Sequence, residues 1–235
     1  MLAIYKREMR SYFSTPIGYV FIAVFLAVSA VFFARFTYMA DEANLSNYFK
    51  WMVIAYVLLI PILTMKTFAD ELKGKTDQLL LTAPVSITSV VFAKFFAALC
   101  MYMLAVAASM VNFIFLAANN YTVQGGIAVG MFLSMILIGT ACIAVGIFIS
   151  ALTESQLVAV LMSLVVLALM LFTDAFNSAI PFAWLRTLLS YISISSRYGY
   201  LAAGRFDFTA LLYYISIAGA FLLLTIRVFE KKRWH

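Results

Sequence analysis

Hydrophobic positions fill most of this chain in blocks long enough to cross a bilayer, and polar positions gather at the block ends. The apolar blocks run over residues 17–36, 51–67, 92–118, 126–152, 157–172 and 208–228. A hydrocarbon core about 30 Å thick takes roughly 20 helical residues, so the pattern predicts six transmembrane helices in a single all-α polytopic domain spanning 1–235. Ahead of them, residues 1–15 set Leu2, Tyr5, Met9, Tyr12 and Phe13 at helical spacing, with Lys6, Arg7 and Arg10 opposite. That is the pattern of an amphipathic interfacial helix. Pro16 then restarts the helix, and the apolar run behind it exceeds an ordinary signal-peptide core, with no small-residue cleavage site after it. An uncleaved anchor is expected.

The interruptions carry the rest of the information. Residues 68–84, between the second and third blocks, bring Asp70, Glu71, Lys73, Lys75 and Asp77 together and then close on Leu79, Leu80, Leu81 and Pro84. So dense a run of charge must reach water, and its leucines give it an apolar edge to press on a partner; a separate soluble motor protein is the expected one. Residues 174–207 mix Phe182, Trp184, Leu188, Tyr191 and Ile192 with Arg186, Arg197 and Arg205. They are too polar for a span and too apolar for a solvated loop, which reads as a re-entrant helical hairpin dipping into the outer leaflet. Pro61 falls inside the second span and removes one backbone bond there, predicting a kink. Lys94 stands near enough to the start of the third span to snorkel. In the fourth, Gly126, Gly130, Gly139 and Gly146 allow close approach by neighbouring helices, so this stripe is assigned to helix packing.

Composition narrows the class further. Of 235 residues, 66% are hydrophobic and 11% charged, with a mean hydropathy of +1.04, where a soluble domain carries about 25% charge. The formal charge of +6 is scattered over segment ends, a distribution that marks topology, so nucleic acid is not an expected partner. With both termini inside, eleven of the sixteen basic residues lie on the cytoplasmic side, including Lys66, Lys73, Lys75 and Lys94, and the charged stretch is cytoplasmic. Cys100 and Cys142 sit inside apolar blocks and read as small core residues.

Catalytic chemistry is scarce. The only histidine is His235, which removes Ser/His, Cys/His and histidine-metal sites and leaves no catalytic, cofactor-binding or metal-binding residue to nominate. Gly74, Lys75 and Thr76 resemble the tail of a phosphate loop, yet position 69 is alanine where that loop needs glycine. Ion-coupled carriers keep an ionisable group near the midplane, whereas Arg35, Lys94, Glu154 and Asp174 lie at span ends and Ser109, Asn112, Ser134 and Thr140 read as helix-to-helix bonds. Energy for transport therefore has to come from outside the chain.

These residues resemble the membrane subunits of ATP-binding-cassette exporters of the second type, ABC-2, in particular the branch of gliding-motility and nitrous-oxide-reductase-associated permeases. The resemblance is carried by Glu8 with Tyr12 to Ile17, by Glu71 followed by the run from Lys75 to Val85, and by Gly204, Phe206, Asp207, Tyr213, Tyr214 and the ending from Glu230 to Trp234. Where the family commonly has glycine before threonine, this chain has Lys75, with Gly74 one residue early. The resemblance implies a half-transporter of a bacterial cytoplasmic membrane, with both termini cytoplasmic. Its coupling helix between spans two and three would dock on an ABC ATPase that holds ATP and Mg, leaving no cofactor in this chain. It further implies a second permease subunit, in a homodimer or heterodimer, with the path along the first, second and fifth spans. The coupling residues carried over are Glu71, Lys73, Thr76, Asp77, Gln78, Leu79, Leu80 and Pro84, with Thr76 capping the short helix and Asp77 favouring its positive end. The alternative is a non-transporting scaffold that anchors a larger ABC-type complex in the bilayer.

Overall fold

The computed structural model describes residues 1–38, 45–76, 85–118, 125–177 and 208–234, and every regular element among them is helical. Helix α1, Leu2–Ser14, precedes α2, Pro16–Phe33, which opens on Pro16 as its first residue, a position that needs no amide hydrogen. A π turn, Ala34–Tyr38, extends α2. Next come α3, Leu45–Thr64, and α4, Lys66–Lys73, which continue one another apart from an interruption at Met65. Helices α5, Ile87–Ser109, and α6, Val111–Ala118, follow. The chain continues in α7, Gly125–Ser150, then α8, Gln156–Asn177, and α9, Phe208–Trp234.

Six of these stretches are long and apolar enough to cross a membrane, the second being α3 and α4 together. Several helices outrun their apolar blocks. The second span starts at Leu45, because Ser46, Asn47 and Lys50 form a polar first turn on the same helix. The third starts at Ile87, where Ser86 Oγ accepts from the Ser89 amide at 3.3 Å and caps it. The fifth continues to Asn177, so the first residues assigned by sequence to the re-entrant hairpin belong to α8. The remainder of that hairpin, residues 178–207, lies outside the described residues.

Helix α7 is the spine. It packs on α9, α3, α5, α8 and α4, and 78% of its central window is buried, against 28% for the first span. Close approach is written into its glycines. A Cβ on Gly139 would stand 2.3 Å from the Tyr102 ring, and one on Gly146 would stand 2.3 Å from Thr64 Oγ1. Gly126 and Gly130 lie on the same helix near its start.

Beside the spine, an aromatic column joins α2, α3 and α5. Phe25 meets Tyr102 edge-on at 6.0 Å, and Tyr56 meets Tyr102 at 5.6 Å, the offset and edge contacts that ring quadrupoles favour. Tyr102 donates to the Met135 carbonyl at 2.7 Å and so fixes α5 on α7. Of the intramembrane polar groups, Asn112 donates across to Ser29 Oγ at 2.9 Å. Ser109, Ser134 and Thr140 each donate to a carbonyl three or four residues earlier in their own helices, and Ser109 also meets the Tyr48 hydroxyl of α3. Helix α3 runs through Pro61, and the interruption falls four residues later at Met65, whose amide still reaches the Pro61 carbonyl at 2.9 Å.

Candidate functional site

Helix α4 is only eight residues long, yet side chains from five other helices close on it. Its apolar residues Phe68, Ala69 and Leu72 are buried, while Lys73 faces out. At its start there is no side-chain cap from its own sequence. Ser150, at the end of α7, supplies one. Its Oγ accepts from the amides of Phe68 at 3.1 Å and Ala69 at 3.2 Å and donates to the Met65 carbonyl at 3.1 Å. A single buried hydroxyl thus reaches three backbone groups at the break, among them the Phe68 amide, which as the third residue of α4 has no acceptor within that helix. Phe68 lies 4.7 Å from the Phe229 ring of α9, and Gln156 at the start of α8 donates to Asp70.

The other two anchors are ionic. Lys94 of α5 is 2% exposed. Its Nζ donates to the Thr67 carbonyl at 2.7 Å and to Glu8 Oε1 at 3.2 Å, and stands 3.0 Å from Glu71 Oε1. Three acceptors match the three hydrogens of an ammonium. On the outer side, Arg7 Nη2 reaches Glu8 Oε1 at 2.8 Å and Glu71 Oε1 at 2.9 Å. Arg7, Glu8, Lys94 and Glu71 therefore form a closed ring of alternating charge that ties α1, α4 and α5 together. At an effective dielectric of about 20, each Lys94 contact near 3 Å contributes about 5 kcal/mol of attraction, set against several kcal/mol to desolvate the buried ion; the Arg7 contacts, on a side chain 55% exposed, are screened by water and weaker. Lys94 also lies 4.9 Å from the Phe68 ring centre, a cation–π contact. The Glu8 carboxylate raises the Arg7 guanidinium above its ordinary value, so Arg7 stays charged. Burial likewise holds the Tyr12 phenol neutral, and its hydroxyl donates to the Leu63 carbonyl at 3.3 Å.

Lys94 does not snorkel. It sits two turns inside α5, where reaching water would strand Glu8 and Glu71, and it turns onto both carboxylates instead. Neither this ring nor the Ser150 cap stands out in the sequence. The one signal was a lysine within an apolar helix, which needs a partner of opposite sign.

At the far end, α4 closes in a Schellman motif. The Thr76 amide donates to the Glu71 carbonyl at 3.0 Å and the Lys75 amide to the Leu72 carbonyl at 3.2 Å. Lys75 takes φ 53°, the left-handed conformation where glycine is at ease. Gly74 is right-handed, with φ −81°. The place that wants glycine is thus position 75, one residue beyond the glycine this chain has. Of the residues carried over from the resemblance, Glu71 is held inward by the ring, Lys73 and Thr76 are exposed at the tip of α4, and Thr76 Oγ1 donates to the Glu71 carbonyl at 3.3 Å. Asp77, Gln78, Leu79, Leu80 and Pro84 lie outside the described residues. Among the described residues, no group of three or more His, Cys, Asp or Glu side chains stands together as a metal site would need.

Comparison with curated proteins gives no match. Residues 16–170 match the family model described as ABC-2 family transporter protein, a segment that includes α4, Lys94 and Ser150. Members of that family are membrane transport subunits that work with ABC ATPases and are not themselves catalytic. With a match over well more than half its length and six helices fit to cross a bilayer, the chain belongs to the ABC-2 family of transporter membrane proteins.

Proposed function

We propose that this permease is one of two membrane subunits of an ATP-driven exporter in a bacterial cytoplasmic membrane, with both termini in the cytoplasm. ATP and Mg belong to a separate ATPase, which docks on the coupling segment 68–84 at the tip of α4. Closure of the ATPases moves that segment, and α4 passes the displacement into the bundle. The observation that supports this reading is the anchoring of α4: a helix of eight residues bound by ion pairs to α1 and α5, by hydrogen bonds to α7 and α8, and by ring contact to α9. A load applied beyond Lys73 reaches every packed face at once, because close-packed interiors transmit strain. Lys73 and Thr76, exposed at that tip, together with Asp77 and Gln78, supply polar rim contacts, and Leu79 and Leu80 supply the apolar centre of the docking patch. Helix α1 lies flat in the headgroup layer.

Replacing Leu79 and Leu80 by Asp should strip the ATPase from the permease during co-purification from native membranes, with the melting of the bundle unchanged. Retention of the ATPase by that variant refutes the docking role. Maleimide labelling of Lys73→Cys from the cytoplasmic face checks the orientation, and labelling from outside overturns it.

A further inference from the structure

The break between α3 and α4 is imposed from outside those two helices. Leu45 to Lys73 has the length and apolar character of one helix of 29 residues, interrupted at a single residue, Met65. Met65 is itself helical, with φ −52° and ψ −35°, and its amide still reaches the Pro61 carbonyl at 2.9 Å. Pro61 does not account for the interruption either, because the bond a proline removes is to the carbonyl four residues before it, here Val57, a turn away on the other side. What stands in the gap is Ser150. In a continuous helix the Phe68 and Ala69 amides donate to the Thr64 and Met65 carbonyls. Here Ser150 Oγ accepts from both, at 3.1 and 3.2 Å, and donates to the Met65 carbonyl at 3.1 Å. A side chain inserted into the backbone ladder in this way bends a helix. Gly146, one turn earlier on α7, lets it in, since an added Cβ there would lie 2.3 Å from Thr64 Oγ1. Two further side chains take carbonyls beside the joint: Tyr12 of α1 donates to Leu63 at 3.3 Å, and Lys94 of α5 donates to Thr67 at 2.7 Å.

We infer that the Met65 joint has two positions, and that the charge ring of Arg7, Glu8, Lys94 and Glu71 holds it in the wedged one. In the second position α3 and α4 form one continuous helix. The Phe68 and Ala69 amides return to the Thr64 and Met65 carbonyls, and the Ser150 hydroxyl turns to the Gly146 carbonyl four residues earlier, as Ser134 and Thr140 do in the same helix. Three hydrogen bonds are exchanged for three, so the hydrogen bonding of the joint itself favours neither position. The balance is tipped by what α4 is tied to, chiefly Lys94, whose ammonium spans the Thr67 carbonyl, Glu8 and Glu71. A packed element with two satisfied arrangements moves by switching between them. A pull on the tip of α4 by the docked ATPase throws the joint, and only that part rests on the docking reading; the joint itself belongs to the permease alone.

The test needs no ATPase, so its failure leaves the docking role untouched. Amide hydrogen exchange is followed at residue resolution in the full-length permease in detergent, with Ser150→Ala introduced into the unaltered protein and into Lys94→Met. In the unaltered protein the ring keeps α4 in the wedged position, so Ser150→Ala should speed exchange at Phe68 and Ala69 about tenfold, as the loss of one buried hydrogen bond does. In Lys94→Met the joint is free to close its own ladder, and the same substitution should change exchange there by less than about twofold. Should Lys94→Met not fold, Glu8→Gln, which weakens the ring and leaves the Lys94 bond to Thr67, takes its place with the same expectation. Equal or greater acceleration in the ring variant overturns the second position and leaves Ser150 a fixed cap. No acceleration in the unaltered protein overturns the wedge itself.

Discussion

Replacing Lys94 by methionine probes the charge ring directly. Methionine nearly matches the volume of the stem but removes the ammonium, leaving Glu8 and Glu71 to share Arg7 alone and the Thr67 carbonyl without its donor. Breaking a buried ion pair by removing one partner costs about 3–5 kcal/mol. Each kcal/mol lowers the melting midpoint of a chain this long by about 2–4 °C, so Lys94→Met should melt about 10 °C lower in detergent. The interaction energy is read from a double-mutant cycle with Glu71→Gln, which removes one of the two stranded carboxylates and should restore about 1–3 kcal/mol of the loss. Lys66→Met, at a partly exposed pair 3.8 Å long, serves as the comparison and should cost under about 1 kcal/mol. If Lys94→Met melted within 1–2 °C of the unaltered protein, or lost the same amount with and without Glu71, the ring would not be holding α1, α4 and α5 together.

Three further changes follow from particular contacts. Lys75→Gly should raise stability by about 0.5–1 kcal/mol, because position 75 takes φ 53°; a lower melting point contradicts the left-handed assignment. Gly139→Ala should cost about 1–3 kcal/mol through collision with the Tyr102 ring and be partly rescued by Tyr102→Leu, whereas Gly219→Ala, with nothing within 4 Å of the added carbon, should be neutral or slightly stabilising. Ser150→Ala should cost about 1–3 kcal/mol, and hydrogen exchange should localise the loss to the amides of Phe68 and Ala69; unchanged protection there refutes the cap.

The six-span plan was legible because apolar block length is set by bilayer thickness, a constraint that leaves its mark on sequence without reference to neighbours. Helix ends were less so. The polar turns at Leu45 and Ile87 are decided by capping and by what lies beyond the bilayer, not by hydropathy. Gly139 and Gly146 could be placed in a packing stripe, but not matched to Tyr102 and Thr64. The ring was hidden for a different reason. Glu8, Glu71 and Lys94 are separated by tens of residues, and no periodicity encodes which charge meets which. Glu71, read as one more charge in a wet stretch, turns inward because Lys94 needs it.

Helix α4 also dictates an order of assembly. It precedes three of the helices it packs on, for its seat is made in part by Ser150 of α7, Gln156 of α8 and Phe229 of α9. Until α7 has been inserted the amides of Phe68 and Ala69 lack the Ser150 hydroxyl, and until α9 has been inserted the ring of Phe68 lacks Phe229; such long-range closure is slow relative to helix formation. A subunit in which α9 has not yet packed thus carries a partly seated α4, with the ring of Phe68 uncovered. The tip of α4 is therefore held fast only once α7, α8 and α9 have all packed against it.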